Sequence, residues 1–269
     1  MALFSNSLSV TRQYLSAAVG DLIRGTADSG SETTIVDTML TKPSDYYNNY
    51  GYKCYIYEGI NIGEERVVST WVLGSTNTLT LTPAFTAAIT SASKYELHRI
   101  FTQDDYRKAI NMAIEGIAGK YLIDLIDETT VLVADTYEYD LPLSFLYLYK
   151  VTTEQTAAGG VWDAEAEIDP RNWSINKSYA PALKLDERYY SIVAGKYLRL
   201  EGQGAQPLVT ADTSVIYLPI DWLVQKAITF LPQEKIQSNK LENTFKQAIL
   251  LSSKEPRAYP HPEARAIVE

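Results

Sequence analysis

The sequence predicts an α+β fold: a small antiparallel β module, barrel or sandwich, joined to a helical core with a second set of β-strands. Three observations carry this. They are a capped and striped helix in mid-chain, short alternating apolar runs before it, and further strands followed by helical segments after it. The division that follows is an arm and helix over 1–32, the β module over 33–101, the helical core with strands over 102–254 and an extended tail over 255–269.

Residues 1–10 read as a loosely ordered arm. Tyr14, Leu15, Ala18, Val19, Leu22 and Ile23 make a helical stripe over 11–24, and Gly25 stands where a left-handed cap would end it. After the polar break TADSGS, apolar alternation predicts five strands, at 33–37, 52–57, 66–72, 78–82 and 94–100. Gly59, Gly63, Gly74, the turn at 75–77 and Pro83 punctuate them at hairpin distances. The mid-chain helix is read over 102–127. Thr102 and Asp105 stand three apart, hydroxyl before carboxylate, the pattern that satisfies the free amides of a helix start. Tyr106, Ala109, Ile110, Ala113, Ile114, Ile117, Tyr121, Leu122 and Leu125 then recur at helical spacing. Gly116 and Gly119 cost roughly 1 kcal/mol each inside a helix, a cost that packing of another backbone against them is expected to offset.

Beyond it, 130–134 and 137–141 flank an Asp135-Thr136 connection, and 145–152 follows as an aromatic strand, a predicted meander. Residues 153–188, with Gly159-Gly160, Pro170 and Pro181, are expected to form a long irregular excursion. The clearest hairpin is predicted at 189–193 and 197–200 around Ala194-Gly195, followed by a turn at Gly202-Gln203-Gly204 and an edge at 208–210. Helices are expected at 219–231, stopped by Pro232, and at 233–253, with Leu241, Phe245, Ala248, Ile249 and Ser252 on one face. Pro256, Pro260 and Pro262 keep the tail extended.

Composition removes several classes of function. The chain has 269 residues and a net charge of -9, with a pI near 4.9. Duplex DNA is bound through clustered Lys and Arg that displace counterions, so wrapping nucleic acid is disfavoured. An acidic wall past which DNA slides without sticking stays open. Cys54 stands alone, which excludes an intrachain disulfide or a thiolate metal site. The start MALFSNSLSV has no basic, long apolar leader, and no run approaches the roughly 20 apolar residues that span a bilayer. A soluble protein made inside a cell, without a membrane partner, is the expectation.

Catalytic patterns are equally sparse. His98 and His261 are the two histidines; neither has metal-ligand spacing, and neither a nucleophile elbow nor a phosphate-binding loop is present. No enzyme activity, metal or cofactor is expected. Asp163, Glu165, Glu167 and Asp169 alternate, so an extended backbone would set all four on one face. That run reads as a solvated loop, a weak calcium site or part of an acidic channel lining. Tyrosine is abundant, twenty against six Phe, and suits interfaces or sugar-stacking surfaces as well as strand packing.

Three stretches are similar to head-tail connector proteins of tailed phages. The first is the β module, GYKCYIYEG, GEERVVSTW, TLTLTPAF and YELHRI. The second is DTYEYDLPLSFLYLYKV, which resembles the extended, Leu-Pro, aromatic-strand passage that follows a long helix in connector proteins. In the third, YLRLEG at 197–202 leads to SVIYLPIDWLV at 214–224, a Leu-Pro step into a closing helix. The resemblance implies a structural virion protein at the neck, a ring-forming adaptor, commonly of twelve copies, that docks below the portal and extends the DNA channel to the tail. Its partners would be further copies of itself, the portal and a downstream neck or tail protein, with DNA passing through unbound. The extra β module departs from minimal adaptors, so another neck or tail-completion protein stays open, as does a sugar-binding tail protein. Connector tails often reach into the neighbouring assembly. Here Pro256, Arg257, Tyr259, Pro260, Pro262, Arg265 and Ile267 would dock on a partner, with Ala266 and Val268 beside them and no tail residue in the core. The bland reading of the tail is a frayed end.

Overall fold

The computed structural model describes residues 5–177 and 180–267. Along the chain run β1 (Asn6–Ser7), α1 (Leu8–Ala18), β2 (Ile23–Thr26), β3 (Ser29–Gly30), β4 (Thr34–Val36), α2 (Tyr46–Asn49), β5 (Lys53–Glu58), β6 (Glu65–Val72), β7 (Thr78–Thr82) and β8 (Lys94–His98). Then come α3 (Gln103–Glu115), β9 (Ile123–Val131), β10 (Glu138–Asp140), β11 (Phe145–Glu154), β12 (Trp162–Glu167), β13 (Trp173–Asn176), β14 (Ala182–Leu185) and β15 (Tyr197–Gly204). The chain closes with β16 (Val215–Ile216), α4 (Ile220–Ile228), α5 (Gln233–Ser238), α6 (Glu242–Ser252) and β17 (Arg265–Ala266). The fold is α+β, with antiparallel strand pairing in its sheets. Two units divide it: a host unit of residues 5–116 and 208–255, and an inserted unit of residues 117–207 and 256–267. The boundaries cut through the stretch 102–254, while the described residues of 1–32 and all of 33–101 fall together in the host unit.

In the host unit a seven-stranded sheet runs β2-β8-β5-β6-β7-β4-β3. Its two outermost strands are separated in the chain by Ala27 and Asp28 alone, so the sheet must curl until its edges approach one another, giving the barrel form of the β module. Ile35, Cys54, Ile56, Val68, Trp71, Leu79, Leu81, Tyr95 and Leu97 fill it. All five strands expected between 33 and 100 form. Residues 1–4 of the expected arm lie outside the described residues, but Asn6 and Ser7 pair with Ile216 and Val215, and Ser7 Oγ caps α1 by accepting from Val10 N at 3.3 Å. α1 ends at Ala18, and Gly25 lies in β2 instead of capping a helix.

α3 starts as predicted, with Thr102 Oγ1 accepting from Asp105 N at 3.1 Å and Asp105 Oδ2 accepting from Thr102 N at 2.8 Å. It stops at Glu115, well short of 127, and Ile123–Val131 is a strand. Neither glycine lies inside a helix: Gly116 caps the end of α3, and Gly119, in the turn that follows, takes a φ of +79° that glycine adopts without a Cβ penalty. α4 packs against α1, α3 and α6. The long helix expected over 233–253 is broken, because Lys240 takes a φ of +59° between α5 and α6. The expected edge at 208–210 is no strand. Asn111 on α3 replaces a strand partner there, exchanging two 2.9 Å side-chain hydrogen bonds with Val209 N and O.

In the inserted unit one sheet runs β12-β11-β15-β9 and another β10-β14-β13. Leu132, Leu141, Phe145, Leu148, Val151, Trp173, Leu183, Leu185, Leu198 and Leu200 form its core. The predicted pairings were too local. The turn at Asp135-Thr136 exists, with Thr136 N donating to Val133 O at 3.2 Å, but β9 pairs with β15 and β10 with β14. Residues 189–193 form no strand, and β15 lies between β9 and β11. The excursion over 153–188 contains β12, β13 and β14, whose short alternations (Trp173 and Leu183 inward, Ser174 and Lys184 outward) are hidden among prolines and glycines. Gly202 and Gly204 belong to β15 and admit the close approach of β11: a Cβ on Gly204 would collide with the Ser144 carbonyl, and one on Gly202 with the Tyr147 carbonyl and the Phe145 ring. Gly204→Ala is therefore expected to destabilise the protein by about 2 kcal/mol or more, because backbone must move to admit the methyl. A urea midpoint unchanged from wild type would refute this.

Candidate interaction surfaces

β11 is paired along one side with β15, while β17 and β12 share its other side, β17 at Tyr147 and Leu148 and β12 at Thr152 and Glu154. This row organises both candidates from the sequence. Asp163, Glu165 and Glu167 lie in β12, the outermost strand of its sheet, with Glu165 and Glu167 exposed. Asp169 lies past the strand end, where its carboxylate accepts from Arg171 N at 2.8 Å and caps a short 3-10 turn at Pro170–Asn172. Three carboxylates, not four, therefore share the strand. Glu167 stands 3.6 Å from Lys150 Nζ and Asp163 accepts from Gln155 Nε2 at 3.2 Å; neither Asp163 nor Glu165 forms an ion pair among the described residues. Among those residues no group of three or more His, Cys, Asp or Glu is placed to hold a metal ion.

The tail is not an unpacked arm. β17 adds to β11, Ile267 is only 1% exposed within the core, and the Arg265 guanidinium lies 4.2 Å over the Trp173 ring while donating to the Trp173 and Pro170 carbonyls. Ala258 N donates to Lys120 O at 3.2 Å, and the His261 ring stacks on Tyr149 at 4.9 Å. Arg265 and Ile267 are thus spent within the inserted unit, because a buried apolar side chain and two backbone carbonyls already claim them. Ala266 pairs in β17, and Val268 lies outside the described residues. Arg257, Tyr259, Pro260 and Pro262 remain exposed, and Pro256 is half-buried.

Two surfaces were not legible in the sequence. In the inserted unit, exposed Arg171, Lys184 and Arg188 line a cleft of about 450 Å³ together with Tyr137, Ser174, Asp186 and Glu187. None of the three cations forms an ion pair among the described residues. Glu138 stands directly across from Lys184 in the β10-β14 register, yet its carboxylate accepts from Asn176 Nδ2 at 2.7 Å. In the host unit, Tyr14 and Ala18 of α1, Ile220, Trp222 and Val224 of α4, and Leu251 of α6 line a groove of about 570 Å³. Ile249, Leu250 and Leu251 of α6 are exposed, Leu250 by 73%. α6 turns Ala248 and Ser252 inward, so Ile249, assigned by its spacing to the buried face, stands outside.

A third feature is internal to the host unit. Arg12, fully buried on α1, forks between Glu96 of β8 (2.9 Å) and Asp212 (2.6 Å), with its guanidinium 4.3 Å from the Tyr55 ring. His98 is buried between the Asp21 carbonyl at 2.9 Å and Glu96 Oε2 at 3.0 Å. Asp21 in turn accepts from the amides of Arg99, Ile100 and Phe101 and from the Tyr106 hydroxyl. Burial pushes the Glu96 carboxyl upward, but the hydrogen bond to His98 and the charge of Arg12 outweigh it and hold it at about 2. This cluster binds α1, β8, α3 and the returning segment at 212 into one unit, which is an architectural role. The chain matches no protein-family model and no curated protein.

Proposed function

We propose that the chain is a structural virion protein of a tailed phage, a ring-forming head-tail connector that docks below the portal and extends the DNA channel to the tail. The observation that carries the reading is the uncovered apolar surface of the host unit, where exposed Tyr14 and Leu251 line the groove between α1, α4 and α6 and Ile249 and Leu250 stand exposed on the same α6. Water-exposed aliphatic and aromatic groups gathered in this way suit a protein partner. The resemblance of the three stretches supplies the kind of partner, copies of itself and neighbouring neck proteins, and a net charge of -9 suits a wall that DNA passes without adhering. In this reading the chain performs no chemistry of its own. Adaptor and tail-completion proteins both live at the neck, so the test is location: gold-labelled antibody on purified particles should mark the junction of head and tail. Label on the capsid surface or at fibre tips would end the reading.

A further inference from the structure

We propose that copies of this chain meet through the inserted unit, the acidic edge strand β12 of one copy seating against the Arg171, Lys184 and Arg188 cleft of the next. The inference rests on the ring-forming reading and names a contact within it. Three unpaired cations converge on one cleft in a chain with 33 acidic and 24 basic residues. Asp186 and Glu187 share the lining, Asp186 accepting from the Arg188 amide at 2.9 Å, but neither forms an ion pair with the three cations among the described residues, so an anionic occupant would relieve the repulsion between them. Glu138 is engaged by Asn176, and Asp169 spends its carboxylate on the Arg171 amide instead of the guanidinium.

β12 has the matching chemistry. Asp163, Glu165 and Glu167 sit at alternate positions of an edge strand, so successive carboxylates are spaced by roughly 7 Å along it, a spacing that side chains from separate elements can meet. Charged side chains on an exposed edge prevent indiscriminate strand pairing and leave contact to a partner of opposite charge. Duplex DNA is the weaker occupant, since the surrounding net charge opposes a polyanion and the cleft has the size of a few side chains. Cleft and strand are different surfaces of one protomer. Such a contact is heterologous, and heterologous contacts repeat into rings when the rotation closes.

The test uses the full chain and two double variants, Lys184→Glu with Arg188→Glu, and Asp163→Lys with Glu165→Lys, followed by mass photometry and sedimentation at low and high salt. Wild type is expected to self-associate less as salt rises, and each variant alone to associate at least about tenfold more weakly, because like charges then face each other. Mixed in equal amounts, the variants should reassemble, since every cleft again meets a strand of opposite charge. That rescue also excludes misfolding as the cause. Assembly undiminished in both variants, or no recovery on mixing, overturns this contact and leaves the connector reading standing. A wild-type chain that stays monomeric at every concentration overturns it too, and the particle labelling then decides the connector reading by itself.

Discussion

Ending the chain at Lys254 is expected to unfold or severely loosen the inserted unit, and Ile267→Ala alone to cost about 2–4 kcal/mol. Ile267 is 1% exposed among Phe145, Leu148 and Trp173, so truncation to alanine leaves a cavity that the surrounding sheet closes only in part. The full truncation removes more. It takes away β17 from the edge of β11, the guanidinium that satisfies the Trp173 and Pro170 carbonyls, and the cation over the Trp173 ring. Set against the roughly 5–15 kcal/mol that holds an ordinary domain folded, losses of this size leave little. Hydrogen exchange should lose protection in β11 and β13 while β5 and β8 keep theirs. Equal urea midpoints for wild type and I267A would show that the terminal strand is dispensable.

The tail illustrates what a sequence discloses. Its prolines predicted extended backbone, which a turn at 262–263 interrupts ahead of β17, and the burial of Ile267 depends on β11 lying alongside, which no local pattern records. The same line separates success from failure elsewhere. β7 was legible because Thr78–Thr82 alternates between two turn signals, and the start of α3 because a capping box is a contact over three residues. The end of α3 was not, since Ile117, Tyr121, Leu122 and Leu125 keep helical spacing through residues that turn and then enter β9. β9 pairs with β15 far along the chain, Ile123 with Gly204, and pairing at that range follows from packing. Of the surfaces, the acidic alternation was visible as soon as the strand was assumed. The basic cleft was not, because Arg171, Lys184 and Arg188 come from a 3-10 turn, a strand and a loop. Nothing local marks Arg12 as buried either; its partners stand 84 and 200 residues away.

Arg12→Met is expected to destabilise the host unit by about 3–5 kcal/mol, because Glu96 and Asp212 would keep buried charges without their cation. The pH dependence gives a sharper measurement. Glu96 is held at about 2 against an ordinary 4.5, so the folded state binds the ionised carboxylate's proton more weakly than the unfolded chain does. The stability this supplies is fully present above pH 4.5 and drains away as pH falls toward 2, a total of about 3 kcal/mol. Asp105 acts in the same direction: burial raises its carboxyl, but the hydrogen bonds from Lys235 and Thr102 prevail and lower it. Glu96→Gln isolates the first contribution, since glutamine copies the shape of the protonated acid. Urea midpoints followed by tryptophan fluorescence should therefore separate wild type from E96Q widely at neutral pH and bring them together as pH approaches 2. A gap between the two proteins that stays constant across that range would mean that the Arg12 and His98 contacts do not favour the charged form of Glu96.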